Sequence, residues 1–293
     1  MKKKLVSLFL YRLKVVTIVI PMAMAAVFAS CKDDYSEDPV IDNPEDPVVT
    51  IIDTGATGDL TWSIDSNGKL TIAPTPPLTT AVMPNYEYSS LAPWYDDYRL
   101  SMTSVEIADG VTTIGISAFS NCSSLKSITI PDGVTAIGEA AFSNCVSLTS
   151  ITIPDGVTTI KIFTFSNCSS LKSIIIPNGV TSIGGWAFTD CTGLTNITIP
   201  DKVTIIGSRA FTNCISLRSV TIGKGVKIID SYAFDSCTSL TSIYSLPQQA
   251  PKVYNYAFEG VPFSTCTLYL PETNTEYDGN GWSQFTNRIE NIR

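Results

Sequence analysis

Apolar side chains return to the same places in this chain every 23 residues. Val111, Val134, Val157, Val180, Val203 and Val226 open six successive units, and an isoleucine follows three places later, from Ile114 to Ile229. Next come a phenylalanine column (Phe119, Phe142, Phe165, Phe188, Phe211, Phe234) and a cysteine column (Cys122, Cys145, Cys168, Cys191, Cys214, Cys237). A leucine column runs from Leu125 to Leu240, and Ile128 and Ile130 show the alternating pair that ends most units. A fixed period of this length marks stacked repeats, because one unit cannot bury such faces alone.

Each stretch of the unit predicts its own element. Ser-Ile-Thr-Ile alternates as a strand does, isoleucine inward and hydroxyl outward. Pro-Asp-Gly then predicts a turn, with proline presetting φ and glycine taking positive φ. Val-Thr-x-Ile reads as a second short strand. The Ala-Phe-x-x-Cys stretch is too short for an independent helix and predicts a tight turn or 3₁₀ segment. The expectation is a β-rich repeat solenoid of about six or seven coils. Strands stacked about 4.8 Å apart would make it roughly 30 Å long.

The reading Cys-x-x-Leu-x-x-Ile-x-Ile-Pro, then Val-x-x-Ile, then Ala-Phe, resembles the BspA-like leucine-rich repeats, also called the Treponema pallidum type. Thr164 replaces the alanine of Ala-Phe in one copy, and Lys202 and Gly223 break the Pro-Asp-Gly turn in later ones. The resemblance implies a right-handed stack with a cap at each end. Leu60–Ile72, with its Asn67-Gly68 turn signal, resembles an opening hairpin; Gly281-Trp282-Ser-Gln-Phe285 resembles a closing cap, after a seventh unit displaced by one residue at Tyr256-Ala-Phe258. The expected division is a signal segment at 1–30, a tether at 31–49, a β cap at 50–100, repeats at 101–250 and a degenerate repeat with its cap at 251–293.

Charge separates the front of the chain from the rest. Lys2, Lys3, Lys4, Arg12 and Lys14 precede an apolar run, Val15 to Ala29, that is short for a membrane span. This pattern reads as a secretory signal. Its end, Phe28-Ala29-Ser30-Cys31, resembles a bacterial lipobox, with Phe28 where leucine is usual, and implies a lipidated Cys31. Lys32-Asp33-Asp34 resembles the export signal of surface lipoproteins of Bacteroidota. Acid and proline dominate the next residues, as expected of an extended tether. The expectation is an outer-membrane lipoprotein exposed at the cell surface, touching membrane only through its anchor.

The whole chain of 293 residues carries a formal charge of −8, and its basic front offsets part of the acidity that follows. Such a chain repels nucleic acid. It has no histidine, so the commonest general base and metal ligand are both missing. There is no Gly-x-Ser-x-Gly and no phosphate loop, and no enzyme or cofactor is expected. The repeat cysteines lack the close pairing of zinc sites, and parallel in-register thiols rarely reach disulfide torsion; they read as buried free thiols. Asp109, Asp132, Asp155 and Asp201 stack on one turn, where turn chemistry or an inter-coil calcium site would account for them.

Two surfaces are candidates for binding. One is the outward strand face, with Ser127, Ser150, Ser173, Thr129 and Thr152, edged by Lys126, Lys172 and Arg218. The other is the variable column two places before each phenylalanine: Ser117, Ala140, then Phe163, Trp186, Arg209, Tyr232 and, after the slip, Tyr256. Those last five either pack over the shoulder of the phenylalanine spine or form a contact stripe for a ligand. The family resemblance implies an adhesion protein whose partners are host, matrix or other bacterial surface proteins, and a monomer is expected; glycan capture for nutrient uptake is the alternative.

Overall fold

A computed structural model describes residues 48–292, apart from 88, 89, 273 and 280. The signal segment, Cys31 and the tether as far as residue 47 lie outside the described residues.

The chain opens with a hairpin ribbon. Ile51–Thr57 pairs antiparallel with Leu60–Asp65, which pairs antiparallel with Lys69–Pro74. The second turn is closed by the Gly68 amide donating to the Asp65 carbonyl at 3.0 Å, with Gly68 at φ 75°. Asp65 Oδ1 also accepts from the amides of Asn67 and Lys69. This is a type I turn followed by a left-handed glycine rather than a two-residue turn.

From here pairing becomes parallel and the solenoid begins. Lys69–Pro74 pairs with Ser104–Ile107, which pairs with Ser127–Thr129. On the same face, further on, Asn196–Ile199, Ser219–Ile222, Ser242–Ser245 and Thr267–Pro271 pair in order, with Thr198 beside Thr221 beside Tyr244 beside Tyr269. Between them, at 150–153 and 173–176, the face keeps only the single bridge Thr152–Ile175. A second face is built from shorter strands such as Ser182–Ile183 and Ile205–Ile206, also parallel and 23 residues apart. The stack has about eight turns and almost no helix. It exceeds the six clear repeats because the degenerate units at both ends stack in register too.

The core is the sum of the columns. The column valines, isoleucines, phenylalanines, cysteines and leucines are buried along the whole stack. Successive phenylalanine rings lie 5.1–5.6 Å apart and nearly parallel. Trp94 continues this column beyond Phe119 at 5.8 Å, and Trp282 meets Phe258 at 5.4 Å. Each tryptophan buries its ring and still satisfies its polar edge: Trp94 Nε1 donates to the Ala118 carbonyl and Trp282 Nε1 to the Pro251 carbonyl, both at 2.9 Å. The two ends of the spine are thereby covered rather than left open to water. The seven cysteines among the described residues are unpaired, and each thiol from Cys145 to Cys237 donates to the carbonyl of the phenylalanine 26 residues earlier, at 3.1–3.3 Å. Thr164, buried in an alanine slot, donates its hydroxyl to the Lys161 carbonyl at 2.8 Å.

The turns depart from expectation in one respect. Pro131–Val134 closes with the Val134 amide on the Pro131 carbonyl at 3.0 Å, yet Gly133, Gly156 and Gly179 do not have positive φ. The turn is type I, which needs no left-handed residue. Gly110, in the first such turn, is left-handed at φ 91°; the other left-handed positions of the repeats lie at both ends of the Ala-Phe turn.

Candidate functional site

The left-handed edge is made by two columns. Ser117, Ala140, Phe163, Trp186, Arg209, Tyr232 and Tyr256 all have φ between 52° and 62°, and so do Asn121, Asn144, Asn167, Asp190, Asn213 and Ser236. A non-glycine residue in this region costs roughly 1–2 kcal/mol. Inter-coil hydrogen bonds hold it there. The amides of Ser117, Phe119 and Asn121 donate forward to the carbonyls of Glu139, Ala141 and Ser143 at 2.7–2.9 Å, and later coils repeat the pattern. The conformation therefore belongs to the repeat, because Ser117 and Ala140 share it with the aromatic positions. It also breaks the Ala-Phe stretch into consecutive turns instead of a 3₁₀ helix.

Along this edge the variable column becomes a stacked ladder. Phe163 stacks on Trp186, with centroids 5.2 Å apart. The Arg209 guanidinium carbon lies 5.6 Å from the Trp186 centroid on one side and 4.7 Å from Tyr232 on the other. Tyr232 then stacks on Tyr256 at 5.2 Å. Phe163 is 38% exposed and Tyr256 58%, while Trp186, Arg209 and Tyr232 are half-buried. The five side chains thus lie against one another at the surface, forming a rigid strip of about 20 Å at about 5 Å per coil.

Beside it runs an amide ladder, to which the sequence assigned no role. Asn144 Nδ2 donates to Asn121 Oδ1 at 3.0 Å, Asn167 to Asn144 at 2.8 Å, and Asn213 to Asp190 at 2.6 Å. Asn121 also donates to the Tyr95 hydroxyl and to Ser120 Oγ. The 23-residue recurrence of a residue that tolerates left-handed backbone was the available signal.

Where the ladder's side chains shrink to Ala140 and Ser117, the edge opens into a cleft of about 670 Å³. Phe163 forms one end of it, and Tyr86, Leu91 and Tyr95 of the opening cap form the other. Periodicity alone does not show this cleft, because its far wall comes from outside the repeats.

The hydroxyl-rich strand face is exposed at Ser127, Thr129, Ser150, Thr152 and Ser173. Ile175 interrupts it, 83% exposed. Its edge alternates between cation and threonine. Thr149, Thr195 and Thr241 each donate a hydroxyl back to the carbonyl of Lys126, Lys172 or Arg218 one coil earlier, at 3.1–3.3 Å. Tyr244 and Tyr269 stack at 4.4 Å near its end. Among the described residues, no three acidic, cysteine or histidine side chains are grouped to hold a metal ion.

Parallel coils, columnar core and capped ends define a leucine-rich-repeat solenoid, a scaffold that offers long continuous surfaces. The chain belongs to the BspA type leucine rich repeat region family, whose model matches residues 97–218 and 160–290, in six copies. It is similar to a leucine-rich repeat protein from Bacteroides ovatus, with 28% identity, a TM-score of 0.50, and coverage of 75% of this chain and 60% of that one. It is also similar to the leucine rich repeat protein of Treponema pallidum, with 26% identity, a TM-score of 0.48, and coverage of 67% of this chain and 83% of that one. Among curated proteins, none matches the chain. Family and fold are those of a protein-interaction scaffold.

Proposed function

We propose that this protein is a lipid-anchored adhesin of the bacterial surface, and that it holds a protein partner along the left-handed edge. The ladder from Phe163 to Tyr256 carries this reading. Tryptophan, tyrosine and arginine dominate binding hot spots. Because these five side chains already support one another, little side-chain freedom remains to be lost on association. Cys31 and the acidic tether would hold the solenoid away from the membrane by an extended linker. Host, matrix and other bacterial surface proteins are the partner class.

Purified protein applied in parallel to matrix-protein and glycan arrays tests this. Saturable binding to proteins supports it. A signal confined to glycans would replace adhesion by sugar capture.

A further inference from the structure

We infer that the cleft at the head of the ladder is a socket for an aromatic side chain carried on a cationic segment of the partner. This rests on the protein-binding reading above and names what the partner must insert. Phe163 has Trp186 stacked on one face, and on its other side the column offers only the Ala140 methyl and then Ser117. Two successive coils therefore lack the rung that the next five supply. A flat ring entering there would continue the stack by one or two places.

The cleft's size lies within the usual range for sites that hold small groups, about 300–1,000 Å³. The two asparagines of its floor are already engaged. Asn121 donates to Tyr95 and Ser120 and accepts from Asn144, while Asn144 accepts from Asn167. A sugar needs many free hydrogen-bonding groups, whereas an aromatic side chain needs apolar walls, which Phe163, Leu91 and Tyr86 supply. The mouth adds a sign: Glu87 lines it, and the exposed Glu139 directly precedes Ala140. Lysine or arginine beside the inserted ring would meet the Glu87 carboxylate.

The test is a titration of the full chain, labelled with ¹³C at alanine methyls, with the capped tripeptides Lys-Trp-Lys and Glu-Trp-Glu and with methyl β-glucopyranoside. The expected result is a saturable shift of the Ala140 methyl by Lys-Trp-Lys, about fivefold weaker binding of Glu-Trp-Glu, and no shift by the glucoside. Ala140→Phe should abolish tripeptide binding, read at the Ala92 methyl, which also lines the cleft. That variant is compatible with the fold, because phenylalanine occupies the same left-handed position one coil later. Binding by Ala140→Phe as tight as the parent's, a saturable shift by the glucoside, or no shift by any probe would overturn the socket. Equal binding of the two tripeptides would overturn its cationic flank. The adhesion reading fails separately: silent protein arrays would remove it even where Lys-Trp-Lys still titrates the cleft.

Discussion

The guanidinium carbon of Arg209 sits 4.7 Å above the ring centroid of Tyr232, with Trp186 on its other side. A half-buried cation between two rings contributes about 1 kcal/mol. Arg209→Ala should lower stability by about that amount, and Arg209→Lys should recover only part, since an ammonium cannot stack as a plane. Urea unfolding followed by circular dichroism measures both. An unchanged midpoint in Arg209→Ala would show that the ladder contributes nothing to folding.

The phenylalanine spine makes a larger claim. Phe188 lies fully buried between Phe165 at 5.4 Å and Phe211 at 5.1 Å. Phe188→Ala should cost about 3–5 kcal/mol through lost burial and the cavity left behind. Because each coil contacts only its neighbours, amide hydrogen exchange should rise most in the coils on either side. Uniform loss of protection along the whole stack would contradict the nearest-neighbour picture.

Asn144 combines a left-handed backbone (φ 61°) with two amide bonds to neighbouring coils. Asn144→Ala removes the bonds and leaves a Cβ in an unfavourable region, so it should cost about 2 kcal/mol. Asn144→Gly removes the same bonds but relieves the backbone, and should cost less. Denaturant midpoints in the reverse order would refute a left-handed requirement at this edge.

These positions show what the sequence makes legible. Val111, Phe119 and Leu125 can be read as core because residue type and a period of 23 both specify an inward side chain, and both buried and stacked columns result. The left-handed edge is harder to read. Positive φ is usually announced by glycine, which points to the Pro-Asp-Gly turns. The real sites hold Ala140, Phe163, Trp186 and Arg209, where carbonyls of the next coil, not the residue's own preference, set the backbone. The variable column was therefore visible, but not its stacking. The cleft was not visible, because Tyr86 and Leu91 reach it from a loop with no periodic link to Ala140.

The cysteine column gives a pH prediction. Burial pushes the thiols of Cys122, Cys191 and Cys237 up to about 12, and those of Cys145, Cys168 and Cys214 well above their ordinary 9.0. The folded protein keeps protons that the unfolded chain releases, so this stabilisation is complete below pH 9 and declines between about 9 and 12. Urea midpoints should be level from this source between pH 7 and 8.5 and fall by pH 10.5. A midpoint that rises over that last interval would contradict thiol burial. At pH 8, a thiol reagent should modify the column only after denaturant is added.

The most direct measurement compares the parent protein with Trp186→Ala and Tyr232→Ala for binding to the strongest protein found on the matrix array, by surface plasmon resonance. Each variant's fold is checked by circular dichroism. If the ladder is the contact surface, each variant loses about tenfold or more in affinity while remaining folded. Unchanged affinity in folded variants would place the partner elsewhere on the solenoid and contradict the central claim.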